Sequence, residues 1–178
     1  MPNLSQRIPN PKYQWQGRVN HAQGACFERL IDKSCEYYRQ IGTAVIEKTP
    51  EPFHIIKSLG RGIFQGNFAK AAQPDFKGVL KGGQMIAFEA KNSASEEIKQ
   101  SRVTKDQTKA LDAYEKAGAL CFVLVSVKMQ YFALVPWNVW KSMKDTYGRK
   151  YMTLNELLKY EKKFTGNVIN FLNIRRVK

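Results

Sequence analysis

Residues 74–91 read PDFKGVLKGGQMIAFEAK, and everything else in the chain arranges itself around this stretch. Gly82-Gly83 sits between two strand-like segments and is a hairpin turn signal. From Met85 onward side chains alternate: Ile86, Phe88 and Ala90 face one way, and Met85, Ala87, Glu89 and Lys91 face the other. Glu89 and Lys91 stand in an otherwise apolar strand, where charge is costly to bury. Asp75 lies one hairpin away, so its carboxylate and that of Glu89 can converge near the ends of adjoining strands. Two carboxylates can hold a divalent cation, and the Lys91 ammonium beside them can orient a water and stabilise charge developing on a phosphate. The set therefore points to metal-assisted phosphodiester hydrolysis. Glu-x-Lys alone is common by chance, and the plainer alternative is an exposed ion pair with a turn aspartate. His21 and His54 are the only histidines, and neither has an evident nucleophilic partner.

Downstream, residues 92–104 are polar and read as loop. Residues 105–117 predict a helix with Gln107, Leu111 and Tyr114 on one stripe, ended by Gly118. Residues 119–127 are continuously apolar, as in a central strand buried on both faces. Residues 131–135 make a neighbouring strand, a helix follows Pro136, and Thr153-x-x-Glu156 is a capping box opening another. Residues 168–174 predict a last strand before the basic tail Arg175, Arg176 and Lys178.

Upstream, residues 21–41 predict a helix with Phe27, Leu30, Ile31, Ser34 and Tyr38 at helical spacing and Gly42 as its stop. Residues 43–46 read as a strand, and Pro50 and Pro52 then break the chain. Residues 1–20 hold three prolines, three basic residues and no acid, the composition of a flexible basic arm, with residues 21–178 forming the folded domain. Residues 53–73 contain Lys57, Arg61 and Lys70 but no acid, with Gly60, Gly62 and Gly66 among Phe64 and Phe68. Their glycine spacing matches neither a P-loop nor a dinucleotide-binding turn. The element order gives an α/β fold: a mixed sheet flanked by helices. Two polar residues border the predicted site. Glu28, at the edge of the first helix's stripe, is either a third acid or a solvated carboxylate. Gln107 either reaches the site or is an ordinary polar residue of the first helical turn.

The 178 residues carry 29 Lys and Arg against 15 Asp and Glu, a net charge of +14. So basic a domain usually meets a polyanion, with DNA or RNA foremost. Cys26, Cys35 and Cys121 are odd in number and form no CxxC pair, so neither a disulfide framework nor a zinc site is indicated. On one helix Cys26 and Cys35 are about 13 Å apart, too far to bond. They read as buried thiols in a reducing compartment. The apolar run at 119–127 is too short to span a bilayer, and the N-terminus lacks the apolar core of a signal peptide. A cytoplasmic location without membrane contact is expected.

The runs Asp75-Phe76-Lys77-Gly78-Val79 and Phe88-Glu89-Ala90-Lys91 resemble the active-site core of RecU-type Holliday junction resolvases, within the Pro-Asp…Glu-x-Lys nuclease superfamily. So do residues 44–52, AVIEKTPEP, and Cys121-Phe122-Val123 followed by Tyr131-Phe132. The resemblance spans roughly residues 20–150 in order. It implies a restriction-endonuclease-like α/β fold with a protruding stalk, a homodimer, and Mg²⁺-dependent cutting of four-way junctions, with Mn²⁺ as a substitute. Asp75 and Glu89 match metal ligands, Lys91 the catalytic lysine, Glu28 the acid of the first helix, and Gln107 the glutamine opening the later helix. Residues 53–73 take the stalk's place, where Lys57, Arg61 and Lys70 would track phosphates and Phe64 and Phe68 would stack on bases. The compact length suits a phage-encoded relative, and a recombinase is an expected partner. Two rivals remain at this point: a nuclease of the same fold with another DNA target, and an inactive DNA-binding recombination factor. Intact Asp75, Glu89 and Lys91 weigh against the second.

Overall fold

The structure is a computed structural model that describes residues 11–50, 53–68 and 73–172. Helix α1 (Pro11–Gln40) opens it. Its stripe Phe27, Ile31, Cys35 and Tyr38 is buried, and Gly42 ends the turn beyond it at φ +65°. Helix therefore begins ten residues before the expected arm boundary, and residues 1–10 lie outside the described residues. Extending a nucleated helix costs little, and Gln16 donates to Asn20 one turn on (3.0 Å). This is why a polar stretch with no apolar stripe still continues the helix.

A five-stranded sheet follows from β1 (Ala44–Lys48), β4 (Phe76–Leu80), β5 (Met85–Ser93), β7 (Leu120–Val127) and β8 (Tyr131–Pro136), in the order β1-β4-β5-β7-β8. Only the β5–β7 pair is parallel, and α2 (Lys105–Lys116) makes the crossover it needs. The β4–β5 turn has Gly82 and Gly83 at φ +99° and +93°, a region open to glycine at no steric cost. Gly78 is required for a different reason: a Cβ there would collide with the backbone of Val45 and Ile46 on β1.

Alternation along β5 divides two cores, as expected. Ile86 and Phe88 join the α1 side, where Phe76, Phe88 and Phe122 stack with centroids 5.0 and 4.6 Å apart. Each such pair contributes about 0.5–1.5 kcal/mol beyond burial. Ala87 joins the other side with Leu111, Trp137 and Trp140. Strand β7 is buried from Cys121 to Val127 on both faces.

Three expectations change. Residues 92–104 are not simply loop: β5 runs to Ser93, and β6 (Glu97–Lys99) pairs with β9 (Tyr151–Thr153) before a 3₁₀ turn at Gln100–Arg102. The helix after Pro136 is two short ones, α3 (Trp137–Lys141) and α4 (Met143–Tyr147), before α5 (Leu154–Leu157). The last strand is absent from the described part of residues 168–174. Ile169 makes one isolated bridge to Phe164, and its backbone is held by side chains of α1. Ser34 Oγ accepts from Ile169 N (2.9 Å) and Tyr38 Oη donates to Ile169 O (2.9 Å). Side chains thus satisfy the groups a sheet neighbour would have taken. The basic tail lies outside the described residues.

Strands β2 (Phe53–Gly60) and β3 (Ile63–Phe68) form a hairpin that pairs only with itself. Every residue of β2 is exposed. Among the described residues no helix is long and apolar enough to cross a membrane.

Candidate active site

Asp75 immediately precedes β4, whose Phe76 is in register with Phe88, so its carboxylate arrives beside Glu89. The backbone N–H of Ala90 donates to Asp75 Oδ2 (2.9 Å), and Thr49 N donates to the Asp75 carbonyl (2.8 Å). Loop, strand end and neighbouring strand thereby fix one side chain. Glu89 is wholly buried in the middle of the sheet, opposite Val123. Lys91 Nζ donates to Glu89 Oε2 (2.7 Å) and lies 3.4 Å from Asp75 Oδ2. Gln107 Nε2 donates to the same Glu89 oxygen (2.6 Å).

Burial pushes the Glu89 carboxyl well above its ordinary range, the Asp75 charge adds to the rise, and Lys91 opposes it. Glu89 Oε1 is buried with no hydrogen-bond partner. A buried acceptor left unpaired costs about 1–3 kcal/mol, and two carboxylates side by side repel. The chemistry of this donor set, hard oxygens with one unsatisfied, fits a divalent cation.

Gln107 joins the two readings that its position left open. Its Oε1 accepts from Thr104 N (3.0 Å) while Thr104 Oγ1 accepts from Gln107 N (3.2 Å), a capping box at the start of α2. Its amide nitrogen is then free to hold Glu89. The Thr-x-x-Gln spacing was the signal for this cap, and it is the same pattern that marked Thr153.

Glu28, expected as a third acid, stands in an ion pair. Lys48 Nζ, at the end of β1, donates to Glu28 Oε2 (2.6 Å), and among the described residues no three acidic, His or Cys side chains gather as a metal-holding cluster. Glu28 also lines a cleft of about 590 Å³ between α1 and β5–β6, with Gln16, Asn20, Lys91, Asn92 and Arg102. Sequence reasoning missed Lys48 and Asn92. Asn92 donates to Gln23 (3.4 Å), receives Arg102 at its carbonyl (3.3 Å) and keeps a buried, unpartnered Oδ1. Lys57, Arg61 and Phe64 sit on the separate hairpin and are exposed. Lys70 and the Phe68 side chain lie outside the described residues.

An Asp opening one strand, beside a buried Glu and a Lys two residues on in the next strand, defines the class of Pro-Asp…Glu-x-Lys nucleases. Residues 22–176 match the family model described as Recombination protein U, and the chain belongs to that family. It is 31% identical over 159 residues to the Holliday junction resolvase RecU of Streptococcus gordonii, covering 83% of this chain and 77% of that protein. It is 34% identical over 116 residues to the Holliday junction resolvase RecU of Streptococcus sanguinis, covering 61% and 58%. The Pediococcus pentosaceus Holliday junction resolvase RecU is 31% identical over 144 residues, covering 75% and 71%. Among solved structures it matches Hjc, a Holliday junction resolvase from Archaeoglobus fulgidus, at TM-score 0.43 and 16% identity, over 65% of this chain and 78% of that one.

Proposed function

We propose that the chain is an endonuclease that resolves four-way DNA junctions by paired phosphodiester cuts, using a divalent cation, with Mg²⁺ foremost and Mn²⁺ as a substitute. The observation that carries the chemistry is Glu89: fully buried, doubly held on one oxygen and unpartnered on the other. Junction selectivity rests on membership of the family and on its relatives being Holliday junction resolvases. Asp75 and Glu89 would hold the cation, which supplies Lewis-acid polarisation of the scissile phosphate. Lys91, fixed between both acids, keeps a positive charge where the pentavalent phosphate gathers negative charge, and it can orient the attacking water. Gln107 keeps Glu89 from rotating away. Substrate affinity comes from elsewhere, through the excess of basic residues.

The working unit is read as a homodimer, since paired symmetric cuts are most simply made by a two-fold assembly. The sheet supplies an apolar face for it. Val45, Val79 and Met85 are adjacent across β1, β4 and β5 and are exposed, on the face that α1 does not cover. The hairpin β2–β3 serves as the stalk, with Lys57 and Arg61 on phosphates and Phe64 on bases. Lys70 and Phe68 complete that set in the chain's order. A recombinase, which makes such junctions, is the expected class of protein partner, and the cytoplasm the place of action.

Purified protein is tested on a four-way junction and on linear duplex, each with Mg²⁺ and with EDTA. Paired nicks confined to the junction and to Mg²⁺ are expected. Equal cutting of linear duplex would assign another DNA target, and no cutting in Mg²⁺ would reject the nuclease. Light scattering at micromolar concentration should give the mass of two chains. A single-chain mass with and without junction DNA would reject the dimer.

A further inference from the structure

The sheet-facing side of α1 continues past the core. Phe27, Ile31, Cys35 and Tyr38 are buried against the sheet, and toward the N-terminus the same helix face carries Gly24, Asn20 and Gln16. Between these three and the end of β5 lies the cleft of about 590 Å³ that Lys91 also lines. Gly24 is the informative position. Glycine in the middle of a 30-residue helix destabilises it relative to alanine. A Cβ at Gly24 would meet no heavy atom within 4 Å, so packing inside the chain does not require the glycine. Gly24 lines the cleft, and a methyl group there would stand in the cleft's own space. A glycine so placed lets a ligand approach the helix backbone closely.

Arg102 stands in the opposite wall. Its Nη2 donates to Asn92 O (3.3 Å), the carbonyl of the residue that follows Lys91. Among the described residues it makes no ion pair. The guanidinium is thus anchored beside the strand that carries Lys91, with no carboxylate claiming its other N–H groups. Two acids line the cleft: Glu28 is neutralised by Lys48 (2.6 Å), and Glu97 is outnumbered by Lys99 and Arg102. Neutral amides on one wall and an anchored guanidinium on the other match a sugar–phosphate chain. Arginine presents a fork of donors to phosphate oxygens, and side-chain amides bond phosphate or sugar.

We propose that this cleft seats the DNA strand being cut: Arg102 binds a phosphate flanking the scissile one, and position 24 is glycine so that the strand can lie against α1. The inference deepens the junction-nuclease reading and rests on it for the role of Lys91. A held flanking phosphate fixes the scissile one relative to Lys91 and the two acids, which is how remote contacts raise rate.

Full-length Gly24→Ala protein is the first arm of the test. Its methyl meets no protein atom and alanine favours helix, so its metal-free Tm should hold or rise. Its single-turnover cleavage of a four-way junction should nonetheless fall by about 10²-fold, the scale for a misplaced substrate. Gly17→Ala, equally open but outside the cleft's lining, should hold or gain Tm and keep wild-type cleavage. The second arm reads junction binding in EDTA by fluorescence anisotropy, with a single uncharged methylphosphonate placed in turn at each phosphate around the crossover. One position should weaken wild-type binding about tenfold, the loss of one charged hydrogen bond. In Arg102→Ala the same position should cost less than about twofold, because the contact is already gone. Arg102→Lys should restore part of the penalty. A Gly24→Ala protein that cuts at the wild-type rate, a fall in its Tm, or a phosphate scan that Arg102→Ala leaves unchanged overturns the proposal. If Arg102→Ala does not fold, the Gly24 arm decides. Coupling to Arg102 in a protein that cuts no DNA keeps the phosphate site and loses the nuclease reading; cutting without that coupling does the reverse.

Discussion

The end of the sheet around Glu89 and the hairpin β2–β3 are opposites in how they are held. At Glu89 every neighbour is fixed by something else: Asp75 by Ala90 N–H, Gln107 by its own cap, Lys91 by both acids. The hairpin is paired only to itself, and it exposes Ile55, Ile56, Leu59, Ile63 and Phe64. Its tip carries Arg61 at φ +51° between Gly60 and Gly62, both also at positive φ. Rigid burial suits a site where charge must be preorganised before the bond breaks. An exposed, glycine-tipped ribbon suits a surface whose partner supplies the rest of its packing. On the proposed function one region would do chemistry without needing to grip and the other would grip without chemistry, so changes in each should separate rate from selectivity.

The largest expected effect lies at the rigid end. Asp75→Asn, Glu89→Gln and Lys91→Ala should each lower junction cleavage by about 10²–10³ or more, the scale for removing a preorganised charge. Gel-shift affinity for the junction in EDTA should stay within about threefold, because phosphate contacts elsewhere provide it. Any of the three cutting at near wild-type rate would detach the chemistry from this site. Replacing residues 60–66 with a short neutral linker is the converse change. The protein should fold, dimerise and keep its thermal response to Mg²⁺, yet its preference for the junction over duplex should fall by about 5- to 150-fold, the equivalent of one stacked base. Survival of that preference would move recognition to α1 or the subunit groove.

How far the sequence carried each region follows the same division. The β4–β5 hairpin was legible because its rules are local: a Gly-Gly turn, alternation along β5, and charges that an apolar strand would not hold idly. The two-sided burial of β7 was equally plain. What stayed hidden depends on distant partners. Nothing near Ile169 says that Ser34 and Tyr38 will satisfy its backbone, more than 130 residues away in the chain. Likewise, Glu28 has the right helix edge for a third acid, but whether it turns to the metal site or to Lys48 is decided by where β1 ends. The helical start at Pro11 escaped because its residues lack a stripe and borrow order from the anchored turns after them.

Gln107 offers a sharper separation within the rigid end, with a smaller effect. Gln107→Ala removes both the helix cap and the bond to Glu89, whereas Gln107→Glu keeps the cap but puts a third carboxylate against Glu89. Alanine should cost about 1 kcal/mol of stability, the scale for a lost cap, and about tenfold in cleavage. Glutamate should leave metal-free stability closer to wild type than alanine does at pH 5 but lower cleavage more. Denaturant melts and single-turnover cleavage check the two together. Equal cleavage by both variants would reduce Gln107 to a cap.

The smallest effect tests the donor set without any DNA. A cation that binds the folded chain and not the unfolded one stabilises it by RT ln(1 + [L]/Kd), about 1.4 kcal/mol at ten times Kd. For a chain of this size that is a rise of roughly 3–6 °C in Tm. The unpartnered Glu89 Oε1 and the repulsion between Glu89 and Asp75 give the cation two separate reasons to stabilise the fold. Mg²⁺ or Ca²⁺ should therefore raise the Tm of wild-type protein, and EDTA should reverse the rise. In Asp75→Asn the metal-free Tm should increase, since the repulsion is gone, while the response to cation should vanish. Variants of the hairpin should keep the full response. A cation shift that survives in Asp75→Asn would place the ion elsewhere, and a shift lost on shortening the hairpin would show that the two regions are not separable after all.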